Sequence, residues 1–179
     1  MIKITGGNFK GRYIHSIEGE NTRPTSSKVR EAIFSILGCK LIDSVFLDLF
    51  AGTGLVGIEA LSRGASKSFF IEKDFNAYKT LKKNINSFNL ENNSEAFKIN
   101  STSFLEKTEN SFDIVYIDPP YKSNLYNEVL KIFSKKKELL NTDSILVIEY
   151  ATKIHIDILD FVLIKSYKYG DTSIILIKN

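Results

Sequence analysis

The chain has 179 residues, of which 43% are hydrophobic and 25% charged, so it can fold around its own core and belongs to neither the disordered nor the fibrous class. Its net charge of +3 identifies no partner, its single cysteine (Cys39) excludes an intramolecular disulfide, and its two distant histidines give no Cys/His metal cluster. With no signal peptide near Met1 and no apolar run long enough to cross a bilayer, we expect a cytoplasmic protein that uses neither a membrane nor a metal.

The first predicted elements are a β-hairpin and a helix. Residues 2–17 contain two short β-prone runs, IKIT and RYIHSI, separated by glycine and asparagine turn residues. A polar loop over 18–25 follows, and apolar residues at helical spacing predict a helix over about 26–37 that ends at Gly38. Residues 1–30 carry six Lys or Arg against two acidic residues, whereas the rest of the chain is nearly balanced. This basic segment is a candidate contact for an anionic polymer, although a solvated basic face explains it as well.

Beyond this segment, predicted strands and helices alternate. Buried strands are predicted at 45–50, 67–72, 95–99, 112–117 and 144–150. Helical periodicity lies between them, near 55–63, 78–88, 102–108 and 125–133. Short alternating units of this kind imply parallel strands with helices on both faces.

The end of the chain adds an antiparallel element. The β-prone runs 160–169 and 172–179 are joined by Gly170-Asp171, which is typical of a tight hairpin. The sequence therefore predicts an α/β fold with a doubly wound, mostly parallel seven-stranded sheet and an antiparallel edge hairpin. We expect one domain over 1–179, in which 1–25 form an N-terminal appendage.

The loop after the first strand of this sheet has the pattern of a nucleoside site. In DLFAGTGLVGIEA, Gly52, Gly54 and Gly57 match G-x-G-x-x-G between a strand and a helix, where glycines permit a tight turn and close approach of a ligand. Ligands of open α/β sheets bind at the carboxyl ends of the strands, where the strand order reverses. Glu72, at the end of the second strand, is placed to accept hydrogen bonds from two ribose hydroxyls. The alternative is a strand-to-helix turn without a ligand, with Glu72 as an ordinary surface acid. It does not explain why the loop, the helix and the acid all occur at the spacing of a nucleoside site.

Asp48 indicates which nucleoside the loop binds. An acid just before the glycines would repel a pyrophosphate, yet it suits the cationic ammonium and sulfonium groups of S-adenosylmethionine. The sequence therefore favours S-adenosylmethionine over a dinucleotide as cofactor.

The run Asp118-Pro119-Pro120-Tyr121 follows the fourth strand, whose carboxyl end is expected beside that of the first. Two prolines make this corner stiff. The amine of a nucleobase attacks poorly until acceptors draw its lone pair out of the ring, and the Asp118 carboxylate with a carbonyl of the Pro-Pro turn supplies two fixed acceptors. Tyr121 offers a ring that stacks on a flipped-out base. An isolated D-P-P run is usually a structural turn, but its position after this strand favours chemistry.

Six segments together resemble one family. They are GGNFKGRYI (6–14), TRPTSSKVREAIFSIL (22–37), LDLFAGTGLVGIEALSRGA (47–65), FFIEKD (69–74), YIDPPY (116–121) and YKYGDTSIILIK (167–178). Over nearly its whole length the chain is similar to the bacterial 16S rRNA guanine-N2 methyltransferase family. The D-P-P-Y corner is shared with adenine-N6 and cytosine-N4 enzymes, so the hairpin followed by R-P-T and a V-R-E helix is the more specific signal.

The resemblance implies a Rossmann-like class I methyltransferase that acts as a monomer on one guanine of 16S rRNA, presented in a small-subunit particle. It also implies roles for the site residues. The methionine end of the cofactor would be bound by Asp48, Ala51, Gly52 and Gly54, and its ribose by Glu72. The target base would be bound by Asp118, Pro119, Pro120 and Tyr121. The third cofactor position holds Asn100-Ser101. Many related enzymes have Asp there to bond the adenine amino group, and the carbonyl of Asn100 can accept the same bond.

The remaining implied contacts involve RNA. Arg23 and Thr25, in a segment that resembles the family's R-P-T loop, either close the cofactor pocket or meet RNA. Lys10 and Arg12 are expected on an RNA-facing hairpin, with a solubilising role as the alternative. Lys122 is placed to touch phosphate, although an exposed lysine is usually only solvated.

Three other functions stay open at this point. Another exocyclic-amine methyltransferase, acting on adenine N6 in DNA or RNA, would use the same corner. A nicotinamide-dependent oxidoreductase would need a substrate domain, for which 179 residues leave little space. A non-catalytic RNA-binding protein could have kept the fold.

Overall fold

The computed structural model describes residues 1–17, 26–120 and 125–179. The predicted polar loop at 18–25 and residues 121–124, which follow the two prolines, lie outside this part of the chain. Among the described residues, no helix combines the length and apolar character needed to span a membrane.

The N-terminal hairpin and helix are present as the sequence predicts. The antiparallel strands β1 (Ile2–Lys3) and β2 (Tyr13–Ile14) form a two-stranded sheet of their own. Helix α1 (Ser27–Leu37) follows, and the Ser26 side chain caps it by accepting a hydrogen bond from the Val29 N–H.

The main sheet has seven strands within the described residues, and helices alternate with them. The strands are β3 (Val45–Asp48), β4 (Lys67–Ile71), β5 (Ser94–Phe97), β6 (Phe112–Ile117), β7 (Leu140–Ala151), β8 (Val162–Tyr169) and β9 (Thr172–Lys178). The helices are α2 (Leu55–Ser62), α3 (Phe75–Ser87), α4 (Ser101–Lys107) and α5 (Leu125–Lys135).

The strand order confirms the predicted doubly wound, Rossmann-like sheet. Its order is β5-β4-β3-β6-β7-β9-β8, and every pairing is parallel except the two made by β9. The antiparallel strand β9 lies between β7 and β8, so the outer strand of the terminal hairpin is β8. Because the chain builds β4 and β5 on one side of β3 and returns to β6 on the other, the order reverses beside β3.

Several element boundaries differ from the sequence pattern, and two of the differences have an identifiable local cause. Strand β7 starts at Leu140, four residues earlier than its apolar run, because Leu140 pairs with Phe112 across a β-bulge. Helix α3 starts at Phe75, before its apolar periodicity, because the Asp74 carboxylate accepts the Ala77 N–H at 2.8 Å and caps the helix.

Alternating side chains of the strands build a core on each face of the sheet. In β6, Ile114 and Tyr116 point to the face covered by the hairpin and α1 to α3, whereas Val115 and Ile117 point to the face covered by α4 and α5. Full burial of each such aliphatic side chain stabilises the fold by roughly 1.5–3 kcal/mol relative to exposure. The two cores hold the strand ends rigidly in register.

A buried polar network attaches the N-terminal segment to α2. Glu59 is fully buried, and its carboxylate accepts hydrogen bonds from Arg30 Nε at 2.7 Å, from the Arg63 guanidinium at 2.8 Å and from the Thr5 hydroxyl. Arg30, itself fully buried, also donates to the Lys3 carbonyl at 2.8 Å. One carboxylate therefore joins the hairpin, α1 and α2.

Candidate active site

Two cavities meet at the carboxyl ends of β3 and β6. The first, of about 440 Å³, extends toward β5 and is called here the β5-side cavity; beyond the shared residues it is lined by Ile99, Asn100 and Ser101 among others. The second, of about 490 Å³, extends under the N-terminal hairpin and is called the hairpin-side cavity. The residues that line both are Phe50, Gly52, Glu72, Lys73, Asp118 and Pro120. The predicted cofactor loop and the predicted catalytic corner therefore border one continuous site.

The glycine loop between β3 and α2 needs its glycines for two reasons. Gly52 and Gly54 have φ of 53° and 85°, a region that side chains other than glycine adopt only under strain. A Cβ on Gly54 would lie 2.4 Å from Leu81 Cδ1, and one on Gly57 would lie 2.3 Å from Phe70 Cε1. At Gly52 the Cβ direction is open within 4 Å, which leaves room for a ligand against its backbone.

Asp48 ends β3 as a buried acid on the hairpin-side cavity. Its side chain is 1% exposed, and its Oδ2 accepts the Gly57 N–H at 3.0 Å, which ties the strand end to α2. Burial raises the pKa of Asp48 to about 7, against the opposing effect of the Gly57 hydrogen bond and with a further increase from the Glu72 charge. Such a carboxyl group gains most from a nearby cation, which stabilises its charged form.

Glu72 follows β4 and is held in place by two backbone groups. Its Oε2 accepts the Gly52 N–H at 2.8 Å, and its Oε1 accepts the Asp74 N–H at 2.7 Å. Both bonds fix the carboxylate between the two cavities, at the position expected for a ribose-binding acid.

The Asp-Pro-Pro corner follows β6 as predicted, and its residues border the cavities. Asp118 keeps some surface on the cavities, but its carboxyl group is largely surrounded by protein. This burial raises the pKa of Asp118 well above the usual value, and the charges of Glu149 and Asp48 raise it further. Helix α5 supports the corner, because the Tyr126 hydroxyl lies 3.2 Å from the Glu149 carbonyl oxygen and 3.5 Å from the Pro119 carbonyl oxygen. Tyr121 lies outside the described residues, so its predicted role stays a prediction.

Asn100 and Ser101 line the β5-side cavity at the start of α4. The Asn100 side-chain oxygen caps the helix by accepting the Thr102 N–H at 2.9 Å, and it also accepts the Thr102 hydroxyl at 2.8 Å. Both lone pairs of that oxygen are therefore already engaged. An adenine amino group would have to share this acceptor with Thr102.

The predicted RNA contacts have different surroundings. Lys10 is exposed on the hairpin turn. Arg12 donates to the Ser87 carbonyl at 2.6 Å and lies 4.1 Å from the centre of the Phe88 ring, so it also fastens the hairpin to the end of α3. Arg23, Thr25 and Lys122 lie outside the described residues.

Three side chains that the sequence pattern did not single out lie at the site or support it from behind. Tyr116, on the hairpin-side cavity, donates its hydroxyl to Glu149 Oε2 at 2.6 Å, and Glu149 is 3% exposed. Asn84 is fully buried on α3 and bonds to the glycine loop. The available signal was a polar residue inside an apolar pattern: Glu149 interrupts the buried run SILVIEY, and Asn84 lies on the apolar stripe of its helix.

Known proteins resemble the chain over most of its length. The model of the family described as Conserved hypothetical protein 95 matches residues 2–178. Ribosomal RNA small subunit methyltransferase D of Buchnera aphidicola (subsp. Acyrthosiphon pisum) is 39% identical over 153 residues, which cover 85% of this chain and 79% of that protein. The solved structure of yhhF from Escherichia coli covers 98% of this chain and 96% of its own, with a TM-score of 0.88 and 29% identity. An RNA methyltransferase from Salinibacter ruber, solved in complex with S-adenosyl-L-homocysteine, covers 86% of this chain and 91% of its own, with a TM-score of 0.65 and 17% identity, a likeness that concerns the fold.

Proposed function

This chain belongs to the family described as Conserved hypothetical protein 95, and from that premise we propose that it methylates the exocyclic N2 of one guanine in small-subunit (16S) ribosomal RNA. That it is an rRNA methyltransferase follows from its similarity to ribosomal RNA small subunit methyltransferase D, and S-adenosylmethionine is the cofactor that the glycine loop and its neighbouring acids fit. The guanine N2 position, a small-subunit particle as substrate and a monomeric state belong to the proposal. The observation that carries the proposal is that Asp118 and Pro120 line the same two cavities as Gly52 and Glu72.

The residues around the two cavities fit S-adenosylmethionine. Glu72, at their junction, is proposed to hold the ribose, with the adenine toward Asn100 and Ser101 in the β5-side cavity. Asp48 and Ala51 border the hairpin-side cavity, where the cationic methionine end is proposed to bind. Its positive charge would stabilise the charged form of the buried Asp48 carboxyl, whose pKa is raised by burial and by Glu72. The open space at the Gly52 Cβ direction leaves room for the cofactor beside the loop.

S-adenosylmethionine supplies a methyl group bonded to a cationic sulfur. The protein's own residues then act on the guanine: the Asp118 carboxylate accepts one amino hydrogen and a carbonyl of the Pro119-Pro120 turn accepts the other, which draws the lone pair of N2 out of the ring. As the N–C bond forms, the C–S bond breaks and its electron pair stays on sulfur. The methylated nitrogen is then cationic, and Asp118 is placed to take its proton.

Tyr121 completes the proposed site. We propose that its ring stacks on the extruded guanine, a contact worth about 1–3 kcal/mol in comparable sites. Lys10, Lys122 and Arg23 are proposed to meet the RNA backbone, and Thr25 to help close the cofactor pocket or to meet RNA. Arg12 is proposed to contribute to RNA binding in addition to holding the hairpin on α3.

Methyl transfer to defined RNA tests this function. Small subunits and naked 16S rRNA from cells without the gene are incubated with the protein and S-adenosylmethionine, and nucleosides are analysed by mass spectrometry. We expect one N2-methylguanosine per rRNA, formed on the particle. Asp118→Ala should lose turnover by at least about a hundredfold and keep cofactor affinity, because it removes a group that acts on the nitrogen alone.

The matched control is Asp160→Ala, which removes an exposed acid paired with Lys137 and should leave turnover unchanged. Methyl groups found on adenine N6 would assign the enzyme to the other amine class. Activity unaffected by Asp118→Ala would contradict the role of the corner. Titration with NAD beside S-adenosylmethionine excludes or supports the oxidoreductase alternative.

A further inference from the structure

Asn84 is a buried amide whose three hydrogen bonds all go to distant parts of the chain. It lies on α3 with 0% exposure. Its Oδ1 accepts the His15 N–H at 3.0 Å, and its Nδ2 donates to the His15 carbonyl at 3.0 Å and to the Thr53 carbonyl at 2.8 Å. His15 directly follows β2 of the hairpin, and Thr53 is in the glycine loop.

The partners of Asn84 adjoin two walls of one cavity. Ser16 and Ile17, the residues after His15, line the hairpin-side cavity, and so does Thr53 itself. Asp48, Tyr116 and Asp118 also line it. The amide therefore joins the N-terminal segment that lines this cavity directly to the glycine loop.

The surroundings of Asn84 leave the amide little freedom to adapt. Leu81 and Ile85 pack on either side of it in the core, with 0% and 1% exposure, and Leu81 Cδ1 leaves no space for a Cβ on Gly54. Helix α3 is thus packed directly against the glycine loop. A buried donor or acceptor without a partner is costly, so loss of the amide would leave His15 and Thr53 to rearrange.

We propose that Asn84 is a positioning residue of the cofactor site: it locks the segment after the N-terminal hairpin onto the glycine loop, so that residues 15–17 form a fixed wall of the pocket that binds S-adenosylmethionine. This inference rests on the proposed function only through the identity of that ligand. The hairpin then serves cofactor binding as well as any contact with RNA.

Asn84→Asp tests the proposal with almost no change in shape. The substitution replaces the donating NH2 by a carboxylate oxygen that faces the carbonyls of His15 and Thr53, so both bonds become repulsive. We expect the Kd for S-adenosylmethionine, measured by calorimetry, to rise at least about tenfold. The KM for the cofactor should rise with it, while kcat at saturating cofactor changes little.

The control is Asn86→Asp, the same chemical change at an exposed position of the same helix, which should leave the Kd unchanged. Circular dichroism checks that both variants are folded. An unchanged Kd in folded Asn84→Asp, or a fall in kcat with no change in Kd and KM, overturns the proposal. Absence of binding by the wild-type protein would instead refute the proposed function.

Hydrogen exchange of the wild-type protein needs no variant and keeps the proposal testable if Asn84→Asp fails to fold. S-adenosylhomocysteine at saturation should slow exchange of the amides at His15, Ser16 and Ile17 together with those of the glycine loop. The strand β8, at the far edge of the sheet, serves as the internal control and should not respond. Slowed exchange in the loop without any change at residues 15–17 overturns the proposal.

Discussion

At the residue scale, acidic groups are brought together where water is largely excluded. Asp48 and Asp118 both have raised pKa values, first through burial and then through neighbouring acids, with Glu149 acting on Asp118. Raised pKa values with specific charged neighbours in a cavity are typical of functional sites. Here the buried Asp48 carboxyl, which borders the hairpin-side cavity, is the group whose charged form the binding of a cation would stabilise.

Affinity for the cofactor should therefore depend on pH through Asp48. Because the pKa of Asp48 is about 7, its carboxyl group is mostly protonated at lower pH and attracts the ammonium group less. We expect affinity for S-adenosylmethionine to rise between about pH 5.5 and pH 7.5, by at most about tenfold per pH unit. Calorimetry at several pH values measures this affinity. In the Asp48→Asn variant the rise of affinity with pH should vanish. A rise that persists in that variant would assign it to another group.

The effect of the same acid on folding has the opposite sign. The folded protein without ligand holds the Asp48 proton more tightly than the unfolded chain, whose value is near 3.8. The stability that Asp48 contributes is present below about pH 4 and is lost as the pH rises through about 7. Ligand binding and folding therefore place opposite demands on this residue.

At the scale of elements, polar groups on α2 and α3 attach the N-terminal hairpin to the rest of the fold, beside its apolar contacts. Glu59 binds Arg30, Arg63 and Thr5, and the Ser62 hydroxyl bonds to the Gly6 carbonyl at 2.7 Å. Such contacts are directional, so they set the angle at which the hairpin meets the site. Its apolar contribution comes from Ile4 and Ile14, which are fully buried.

Glu59→Ala should destabilise the protein severely. The substitution removes the Glu59 carboxylate from the fully buried Arg30, and breaking a buried pair in this way costs about 3–5 kcal/mol of the free energy of unfolding. Urea denaturation measures the loss. The matched control is Glu95→Ala, which removes a carboxylate from the exposed pair with Lys67 and should cost less than about 1 kcal/mol. Equal losses in the two variants would contradict the structural role of Glu59.

At the scale of the whole molecule, the proposed site lies at one edge of the sheet. The glycine loop, Glu72 and Asp118 all lie at the carboxyl ends of parallel strands, where the helix on each face leaves a crevice. The hairpin segment begins at this edge, where Ile2, Ser16 and Ile17 line the hairpin-side cavity. Its turn, which carries Lys10, lies at the end of α2, where the Asn8 N–H donates to the Ser62 carbonyl at 2.7 Å. We expect RNA to approach from the hairpin side.

Lys10→Ala tests this direction of approach. Lys10 is exposed, and loss of one phosphate contact should weaken RNA binding evenly across sequences and reduce the slope of log K against log salt by about one. Affinity for S-adenosylmethionine should not change. The control is Lys178→Ala, because Lys178 lies on β9, beyond β7 and away from the hairpin. A larger effect of the control would place the RNA elsewhere.

The sequence pattern predicted where several residues of the proposed site lie, because their positions follow from the strands that precede them. Gly52, Gly54, Glu72 and Asp118 each follow a strand, and their position follows from strand order and the rule that parallel strands share an edge. The bounds of α3 and β7 were less accurate, because a cap at Asp74 and a bulge near Phe112 shifted them. These features depend on one side chain or one pairing and leave the apolar periodicity unchanged.

Amino-acid order alone implied the alternation of strands and helices, the glycine loop and the stiff corner, because these depend on residues close in sequence. Folding in three dimensions determined what Arg12, Asn84 and Glu149 do. Their partners lie 75, 69 and 33 residues away, Ser87, His15 and Tyr116 respectively. No local pattern records such pairs, because a buried polar side chain takes its role from whichever distant backbone group or hydroxyl the packed core brings within hydrogen-bonding distance.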